Sequence, residues 1–316
     1  MNPLVSVYCL AYNHEKYIRS ALEGFVKQKT NFSYEVIIHD DASTDRTAEI
    51  IREYAQKYPD IIVPIIQKEN QHSKKIYISR DIIYPILKGK YIACCEGDDY
   101  WIDENKLQKQ VDWLERNLEY SLCVHNTTVI DMLTGKQKQV NKCKEDIDIP
   151  ITDIMQGGGA HFHTSSFMFR SQYKNIPEGF RIKGVGDYPL AVYLATCGKV
   201  RYLHDIMSVY RLNVQGSYTV RLKTAPIEAI IERKKQEIKM LQYTDIYTKG
   251  EYHLYINELI RKKEFMFLLN KADKETIKSQ YMDLYCTLPA KEKIKLIIKN
   301  NYPKLMNIYH KVKKKV

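Results

Sequence analysis

The first 120 residues alternate between a strand-like and a helix-like hydrophobic period, and this alternation constrains the fold more than any other feature. A β-rich run at 5–10 precedes apolar residues at spacings of three and four over 18–26, which predicts a strand and then a helix. The pattern then repeats, with strands expected at 36–38, 61–66 and 91–95 and helices at 44–58, 78–87 and 104–114. Short connections of this kind predict a mainly parallel sheet covered by helices on both faces.

Three local features refine that pattern. Pro64 lacks a backbone donor, so its strand is expected at an edge of the sheet. Ser43 or Thr44 is expected to cap the second helix, and Asp103 the helix that begins after the fourth strand. These residues lie just before apolar runs of helical spacing.

The pattern changes after Ser121. Strands are expected at 122–130, 162–169 and 200–203, with a helix from Asp187 to Thr196. From about Thr224 the sequence predicts only helices, at 227–243, 252–269, 274–285 and 291–299. We therefore expect an α/β domain over residues 1–220 and an all-helical region over 221–316.

The basic charge is concentrated at one end of the chain. The sequence has 49 Lys and Arg against 38 Asp and Glu, a net charge of +11, and residues 291–316 hold nine lysines against one glutamate. The rest is nearly balanced, so no nucleic-acid partner is expected. Apolar residues at helical spacing make 291–316 a basic amphipathic tail. It could bind an anionic membrane surface, pack on its own domain or form a homodimer.

The cysteines and the N-terminus bear on the expected location. Seven cysteines without a framework spacing indicate free, mostly buried thiols in a reducing compartment. The N-terminus lacks the features of a signal peptide, and no apolar stretch is long enough to span a membrane. We expect a cytoplasmic protein, with peripheral attachment to the inner face of the cytoplasmic membrane left open.

Acidic residues gather where the predicted strands end. Asp40 and Asp41 follow the second strand, and Glu96, Asp98 and Asp99 follow the fourth. In parallel sheets, ligands bind beyond the carboxyl ends of the strands. Carboxylates crowded there repel one another unless a hard cation or hydrogen-bond donors lie among them. The sequence therefore predicts a site for Mg²⁺ or Mn²⁺ and a phosphate-bearing substrate.

Three motifs in this order resemble the family 2 glycosyltransferases, which have the GT-A fold. They are the strand and turn from Val5 to Asn13, the loop Asp40-Asp41-Ala42-Ser43-Thr44-Asp45, and Glu96-Gly97-Asp98-Asp99-Tyr100-Trp101, similar to the D-x-D metal motif. The resemblance covers about residues 3–215. It implies an inverting transferase with a nucleoside-diphosphate sugar donor, most commonly UDP-linked, a divalent metal, and a glycan or lipid-linked acceptor in bacterial surface polysaccharide synthesis. The nucleotide half would be about 1–120 and the acceptor half about 121–220.

The resemblance also implies a role for individual residues. Asp98 would bind the metal, with Glu96 and Asp99 near the ribose or behind the metal ligands, and Asp187 would be the catalytic base. The nucleotide sugar would be contacted by Ala11, Tyr12, Asn13, Asp40 or Asp41, Arg80 and Arg211. Tyr100, Trp101 and His163 are possible contacts of the acceptor or the diphosphate.

The sequence departs from the family pattern at three positions. Ala42 replaces a glycine, which makes a positive φ there less expected. Glu96 replaces the first aspartate of D-x-D, and Asn213 replaces a histidine in the segment Tyr210-Arg211-Leu212-Asn213. A catalytically degenerate binding module of the same fold is therefore an alternative. A sugar nucleotidyltransferase is another, although the first turn lacks that class's glycine-rich loop.

Overall fold

The computed structural model describes residues 2–157, 162–223, 225–271, 274–290 and 293–294. The predicted tail at 291–316 therefore lies almost entirely outside the described residues. The chain divides into two compact units between Ala225 and Pro226. None of the described helices is long and apolar enough to cross a membrane.

The first unit is built on one mixed sheet with the strand order β3-β2-β1-β4-β9-β6-β10-β5. Its strands are β1 (Val5–Ala11), β2 (Tyr34–Asp40), β3 (Ile62–Ile66), β4 (Tyr91–Cys94), β5 (Tyr100–Trp101), β6 (Tyr120–Asp131), β7 (Gln137–Gln139), β8 (Ile147–Asp148), β9 (Met168–Arg170) and β10 (Lys199–Leu212). The strands β1 to β4 are parallel, as are β6 and β10. The short β9 joins these two groups by antiparallel pairing. The predicted α/β class and the edge position of β3, which contains Pro64, are confirmed.

The helices of this unit are α1 (Ile18–Val26), α2 (Thr47–Lys57), α3 (Lys106–Arg116), α4 (Ile151–Gly157), α5 (Asp187–Cys197) and α6 (Tyr218–Lys223). The helices α1, α2, α3 and α5 pack against the sheet, and α4 packs against α5. In α1 the buried residues are Ile18, Ala21, Leu22, Gly24 and Phe25, which form one face. Four of the seven cysteines are buried free thiols, in agreement with the sequence prediction.

Several local predictions were wrong. The helix expected at 78–87 is a single wide turn over Ser79–Ile83, and the strand expected at 162–169 is a 3₁₀ turn followed by β9. The helix α2 begins at Thr47, so neither Ser43 nor Thr44 caps it. Asp103 is not the N-cap of α3 either, although its carboxylate accepts a hydrogen bond from the Asn105 backbone.

The second unit contains α7 (Ile227–Tyr247), α8 (His253–Lys271), α9 (Lys274–Gln280) and α10 (Met282–Thr287). The helices α7 and α8 pack together, and Glu237 of α7, only 4% exposed, is ion-paired with Arg233, Lys234 and Lys263. Arg261 of α8 pairs with Asp283 of α10. The helix expected at 274–285 is divided in two at Tyr281.

Candidate active site

The loop Glu96–Asp99 leaves β4 and runs against the end of β1. Because these strands are parallel neighbours, their carboxyl ends meet at one edge of the sheet, and Gly97 donates a backbone hydrogen bond to Leu10 (2.9 Å). A Cβ at Gly97 would lie 2.8 Å from His14 Nδ1 and 3.2 Å from the Ala11 side chain. Glycine is therefore required here by close approach to the β1 turn.

The β1 turn also joins the loop that follows β2. The backbone of Asn13 donates to Ser43 Oγ (2.9 Å), and its side-chain oxygen accepts from the Thr44 backbone (2.8 Å). Ala42 adopts φ +62°, so the expectation against a positive φ at this position was wrong. A residue that carries a Cβ therefore adopts a left-handed conformation here, which costs more than it would for glycine.

Asp40 and Asp41 are held by different segments. Asp40 is completely buried and accepts from the backbone and hydroxyl of Ser43 in its own loop. Asp41, 4% exposed, accepts from the backbone nitrogens of Gln71 (2.7 Å) and His72 (3.0 Å). The sequence could not distinguish these neighbours, whereas the structure buries Asp40 more deeply than Asp41.

Glu96, Asp98 and Asp187 form an acidic cluster at this edge. Burial, and then the charges of Asp98 and Asp187, raise the pKa of Glu96 to about 8. Asp187 is the first residue of α5, and its carboxylate accepts from the Tyr188 backbone (2.7 Å) and from Thr164 Oγ1 (3.4 Å). The fold therefore brings together three carboxylates that are up to 91 residues apart in the sequence.

Asp99 points away from this cluster toward β10. It is 2% exposed, and its carboxylate accepts from the Arg211 backbone (2.9 Å). Burial and the charge of Asp98 raise its pKa, and the bond from Arg211 opposes that rise. The Asp99 carboxylate is thus bound within the protein by the backbone of β10.

The predicted nucleotide-binding residues differ in exposure and in their contacts. Tyr12 is 46% exposed beside Asn13, whereas the Ala11 side chain is buried under the Glu96–Asp99 loop. Arg80 is ion-paired with its neighbour Asp81 and lies over the Tyr77 ring, 4.6 Å from its centroid. The contacts of Arg80 are thus with its own turn.

The predicted acceptor contacts also differ from one another. Trp101 is 3% exposed, packs its ring on Phe25 and donates to the Ser165 carbonyl (2.8 Å), so it is a core residue and cannot stack on a sugar. Tyr100 lies under the Arg211 guanidinium, 4.3 Å from its ring centroid. His163 is stacked on Tyr210 with ring centroids 4.0 Å apart, and burial lowers its pKa to about 4, so the imidazole is neutral.

His14 is a site residue that the sequence prediction missed. Its Nδ1 is buried beside Gly97 and, within the described part of the chain, has no hydrogen-bond partner. Burial lowers its pKa, while the nearby Asp98 acts in the opposite direction. Its place in the turn directly after Tyr12-Asn13 was the only signal in the sequence. Asn213, at the family's histidine position, donates its amide to Asp131 (2.9 Å).

A divalent cation fits the chemistry of this edge. Among the described residues no group of three or more His, Cys, Asp or Glu side chains could by itself hold a metal ion. However, Mg²⁺ and Mn²⁺ at nucleotide sites use one or two carboxylates together with substrate phosphates. Burial, and then the negative charges of Asp98 and Asp187, raise the pKa of Glu96, so the carboxylates at this edge lie close enough to repel one another. Asp98, with Glu96 next to it, could therefore hold the ion.

An open α/β sheet with an acidic loop after β4 and a carboxylate at the start of α5 defines the class of GT-A glycosyltransferases. The model of the family "Glycosyl transferase family 2" matches residues 6–176, more than half of the chain. The chain therefore belongs to glycosyl transferase family 2.

Two relatives show how far the sequence similarity extends. Uncharacterized protein Rv1520 of Mycobacterium tuberculosis is 36% identical over 225 residues, which are 69% of this chain and 63% of that protein. Chondroitin synthase of Escherichia coli is 27% identical over 206 residues, 65% of this chain and 28% of the synthase. The chain thus spans less than two thirds of the length of these relatives.

Two solved structures share the fold. S. aureus TarS 1–349 in complex with UDP-GlcNAc has a TM-score of 0.62 at 16% identity. The match covers 88% of this chain and 76% of the TarS chain. The mannosyltransferase PcManGT of Pyrobaculum calidifontis, in complex with GDP-Man and Mn²⁺, has a TM-score of 0.50 at 16% identity. The match covers 96% of this chain and 88% of the mannosyltransferase. At these identities the likeness establishes the fold alone.

Proposed function

We propose that this protein is an inverting glycosyltransferase that moves a sugar from a nucleoside-diphosphate donor, UDP-hexose first among the candidates, to a glycan or lipid-linked glycan. The observation that carries the proposal is the acidic cluster of Glu96, Asp98 and Asp187 at the carboxyl edge of the sheet. Surface polysaccharide synthesis is the proposed setting, supported by a relative named for a polysaccharide synthase.

The nucleoside is proposed to bind at the β1 turn. Tyr12 presents an exposed ring there, and Asn13 is fixed by its bonds to Ser43 and Thr44. Of the two loop carboxylates, Asp41 is the better candidate for the base or ribose, because Asp40 has no exposed surface. A ligand can contact only atoms that solvent also reaches, unless the loop moves.

Asp187 is proposed as the catalytic base. Its carboxylate takes the proton of the acceptor hydroxyl as that oxygen attacks the anomeric carbon. The bond from that carbon to the diphosphate oxygen breaks on the opposite face, so the configuration inverts and the nucleoside diphosphate leaves with the electron pair. A divalent cation bound through Asp98 would stabilise the negative charge that develops on the departing diphosphate. His163, neutral and stacked on Tyr210, is proposed to contact the acceptor side.

A thermal-shift experiment tests this proposal. The melting temperature is measured with UDP, GDP and TDP, each with and without Mn²⁺, for the wild type, Asp98→Ala and the control Asp60→Asn on an exposed turn. A ligand at 100 times its Kd stabilises the native state by about 2.7 kcal/mol, which gives a clear shift. We expect a metal-dependent shift with one diphosphate that Asp98→Ala loses and Asp60→Asn keeps. No shift with any diphosphate would contradict the proposed transferase.

The attachment of residues 291–316 to an anionic membrane and the formation of a homodimer stay predictions. The cytoplasmic location, with or without attachment to the inner face of the membrane, is part of the same proposal. Deleting residues 291–316 should abolish sedimentation with anionic vesicles and leave the diphosphate-induced shift unchanged if the tail is the membrane contact.

A further inference from the structure

Arg211 joins three separate segments of the first unit. Its Nη1 donates to the Asp98 carbonyl (2.8 Å), and its Nη2 donates to Ser20 Oγ in α1 (3.1 Å). Its guanidinium also lies near the Tyr17 ring and over the Tyr100 ring, 5.3 Å and 4.3 Å from their centroids. The end of β10, the Glu96–Asp99 loop and the start of α1 are therefore held by one side chain.

The strand pairing explains why position 211 is suited to this. The strand β5 pairs antiparallel with β10, with Val209 opposite Tyr100. If that register is continued by two residues, Arg211 lies opposite Asp98. The backbone nitrogen of Arg211 donates to the Asp99 carboxylate instead of a carbonyl, and its side chain supplies the bond to the Asp98 carbonyl. Main chain and side chain of one residue thus bind both aspartates of the loop.

The bonds suit a guanidinium better than an ammonium. Arginine carries five N–H donors in one plane and stacks on aromatic rings, whereas lysine is a compact charge on a flexible stem. The two bonds to Asp98 and Ser20 use different guanidinium nitrogens, while the Tyr100 ring packs against the guanidinium. The side chain expected to bind the donor diphosphate is therefore already engaged within the protein.

We propose that Arg211 is a positioning residue that fixes the backbone of Asp98, and through it the direction of the carboxylate that binds the divalent cation. It does this in place of binding the donor diphosphate itself. The proposal rests on the proposed function, because it assigns Asp98 to the cation. The two roles differ in the metal-free protein. A positioning residue leaves the metal-free affinity for the diphosphate unchanged, whereas a residue that binds the diphosphate contributes to that affinity.

The test is nucleotide binding with and without Mn²⁺, measured by calorimetry with UDP, GDP and TDP on Arg211→Met and Arg211→Lys. Loss of a group that orients a metal ligand costs about 10- to 100-fold in metal affinity, so both variants should lose the Mn²⁺-dependent gain by that factor. Their metal-free affinity for the diphosphate should equal that of the wild type. Arg19→Met, an exposed α1 residue paired with Glu53, is the matched control and should behave as the wild type.

If Arg211 instead bound the donor diphosphate, a different result would be expected. Arg211→Met would then weaken metal-free diphosphate binding while uridine or guanosine binding stayed constant, and Arg211→Lys would restore part of it, since lysine also binds phosphate as a point charge. That result would overturn the proposal. Ser20→Ala removes only one acceptor of the guanidinium and provides a milder variant, expected to shift the Mn²⁺ dependence in the same direction, should the Arg211 variants fail to fold.

Hydrogen–deuterium exchange separates this proposal from the proposed function. The amides of residues 95–101 should exchange faster in Arg211→Met than in Arg19→Met, with no nucleotide or metal present. Equal rates would overturn the positioning role, whatever the chain binds. If the wild type binds no diphosphate but the exchange difference is found, the proposed function fails and the positioning of the loop by Arg211 stands.

Discussion

At the scale of single residues, the site depends on side chains whose surroundings differ although their chemistry is the same. Asp40 and Asp41 are adjacent, yet Asp40 accepts its hydrogen bonds from its own loop and Asp41 accepts them from the backbone that follows β3. Glu96 and Asp99 lie on either side of Asp98 in the sequence. The charge of Asp187 acts on Glu96, whereas Asp99 accepts a hydrogen bond from β10. The sequence correctly placed these residues where β2 and β4 end. It could not assign their directions, because those depend on contacts with segments up to 112 residues away.

Asp187→Asn tests the catalytic base directly. The amide cannot take a proton, so the rate of donor turnover should fall by about 10²- to 10⁴-fold while donor affinity is kept. Turnover is measured as hydrolysis of hexose donors that carry the nucleoside diphosphate identified by the thermal-shift panel. Asp60→Asn serves again as the control. Unchanged turnover would leave Asp187 as a residue that only supports the start of α5.

Ala42→Gly tests the strained backbone of the loop after β2. A left-handed conformation costs a residue with a Cβ roughly 1–2 kcal/mol, and the greater entropy of glycine in the unfolded chain offsets about half of that gain. We therefore expect Ala42→Gly to raise the free energy of unfolding by up to about 1 kcal/mol in urea titrations, whereas Ala42→Val lowers it. A destabilised Ala42→Gly variant would contradict the positive φ of 62°.

At the scale of elements, the strand–helix order of the first half could be predicted because each element carries its own period. The sequence predicted a strand of four residues at 200–203, whereas β10 is 14 residues long. Its pairing with β6 is interrupted by register shifts between Leu203 and Ser208, which break the alternation of buried and exposed residues. The part of β10 beyond those register shifts places Arg211 beside the Glu96–Asp99 loop. This part of the site could not be found from periodicity.

Gly24→Ala tests the contact between α1 and β5. An added Cβ would lie 2.7 Å from the Trp101 carbonyl oxygen and 3.0 Å from its nitrogen, and backbone atoms cannot turn aside. The cost of overpacking, about 1–3 kcal/mol, should exceed the gain in helix propensity of about 1 kcal/mol. Urea titration should therefore show a less stable protein.

Gly157→Ala in α4 is the matched control, because its Cβ would meet no atom of the described residues within 4 Å. A Gly24→Ala variant as stable as Gly157→Ala would show that α1 can move away from β5 at no cost. The position of Trp101 would then not be fixed by this contact.

At the scale of the whole molecule, the first unit buries a lysine side chain in its core. Lys106 is completely buried, donates to Gln110 (2.7 Å) and lies 4.0 Å from the Trp101 ring centroid. Burial lowers its pKa to about 7. Between this pH and the ordinary lysine pKa of 10.5, the unfolded chain binds a proton that the folded protein does not. The contribution of Lys106 to stability therefore rises with pH across that window.

Lys106→Met isolates this contribution. The difference in free energy of unfolding between wild type and variant should change by up to about 1.4 kcal/mol per pH unit from pH 7 to 8.5, in favour of the wild type. Urea titrations at pH 6, 7 and 8.5 measure it. The raised pKa of Glu96 acts in the opposite direction, but it is common to both proteins because Lys106 is not among its causes. A difference independent of pH would show that Lys106 stays charged.

The register of β5 against β10 also has a consequence for the order in which the protein is made. Residues 5–101 contain most of the proposed donor site, but the loop at 96–99 is also bound by Arg211. During synthesis, which proceeds at about 5–20 residues per second, more than a hundred further residues must emerge before this contact can form. A nascent chain halted before that point carries an acidic loop that lacks the bonds from Arg211. The proposed donor site is therefore completed late in translation, although most of it is encoded early.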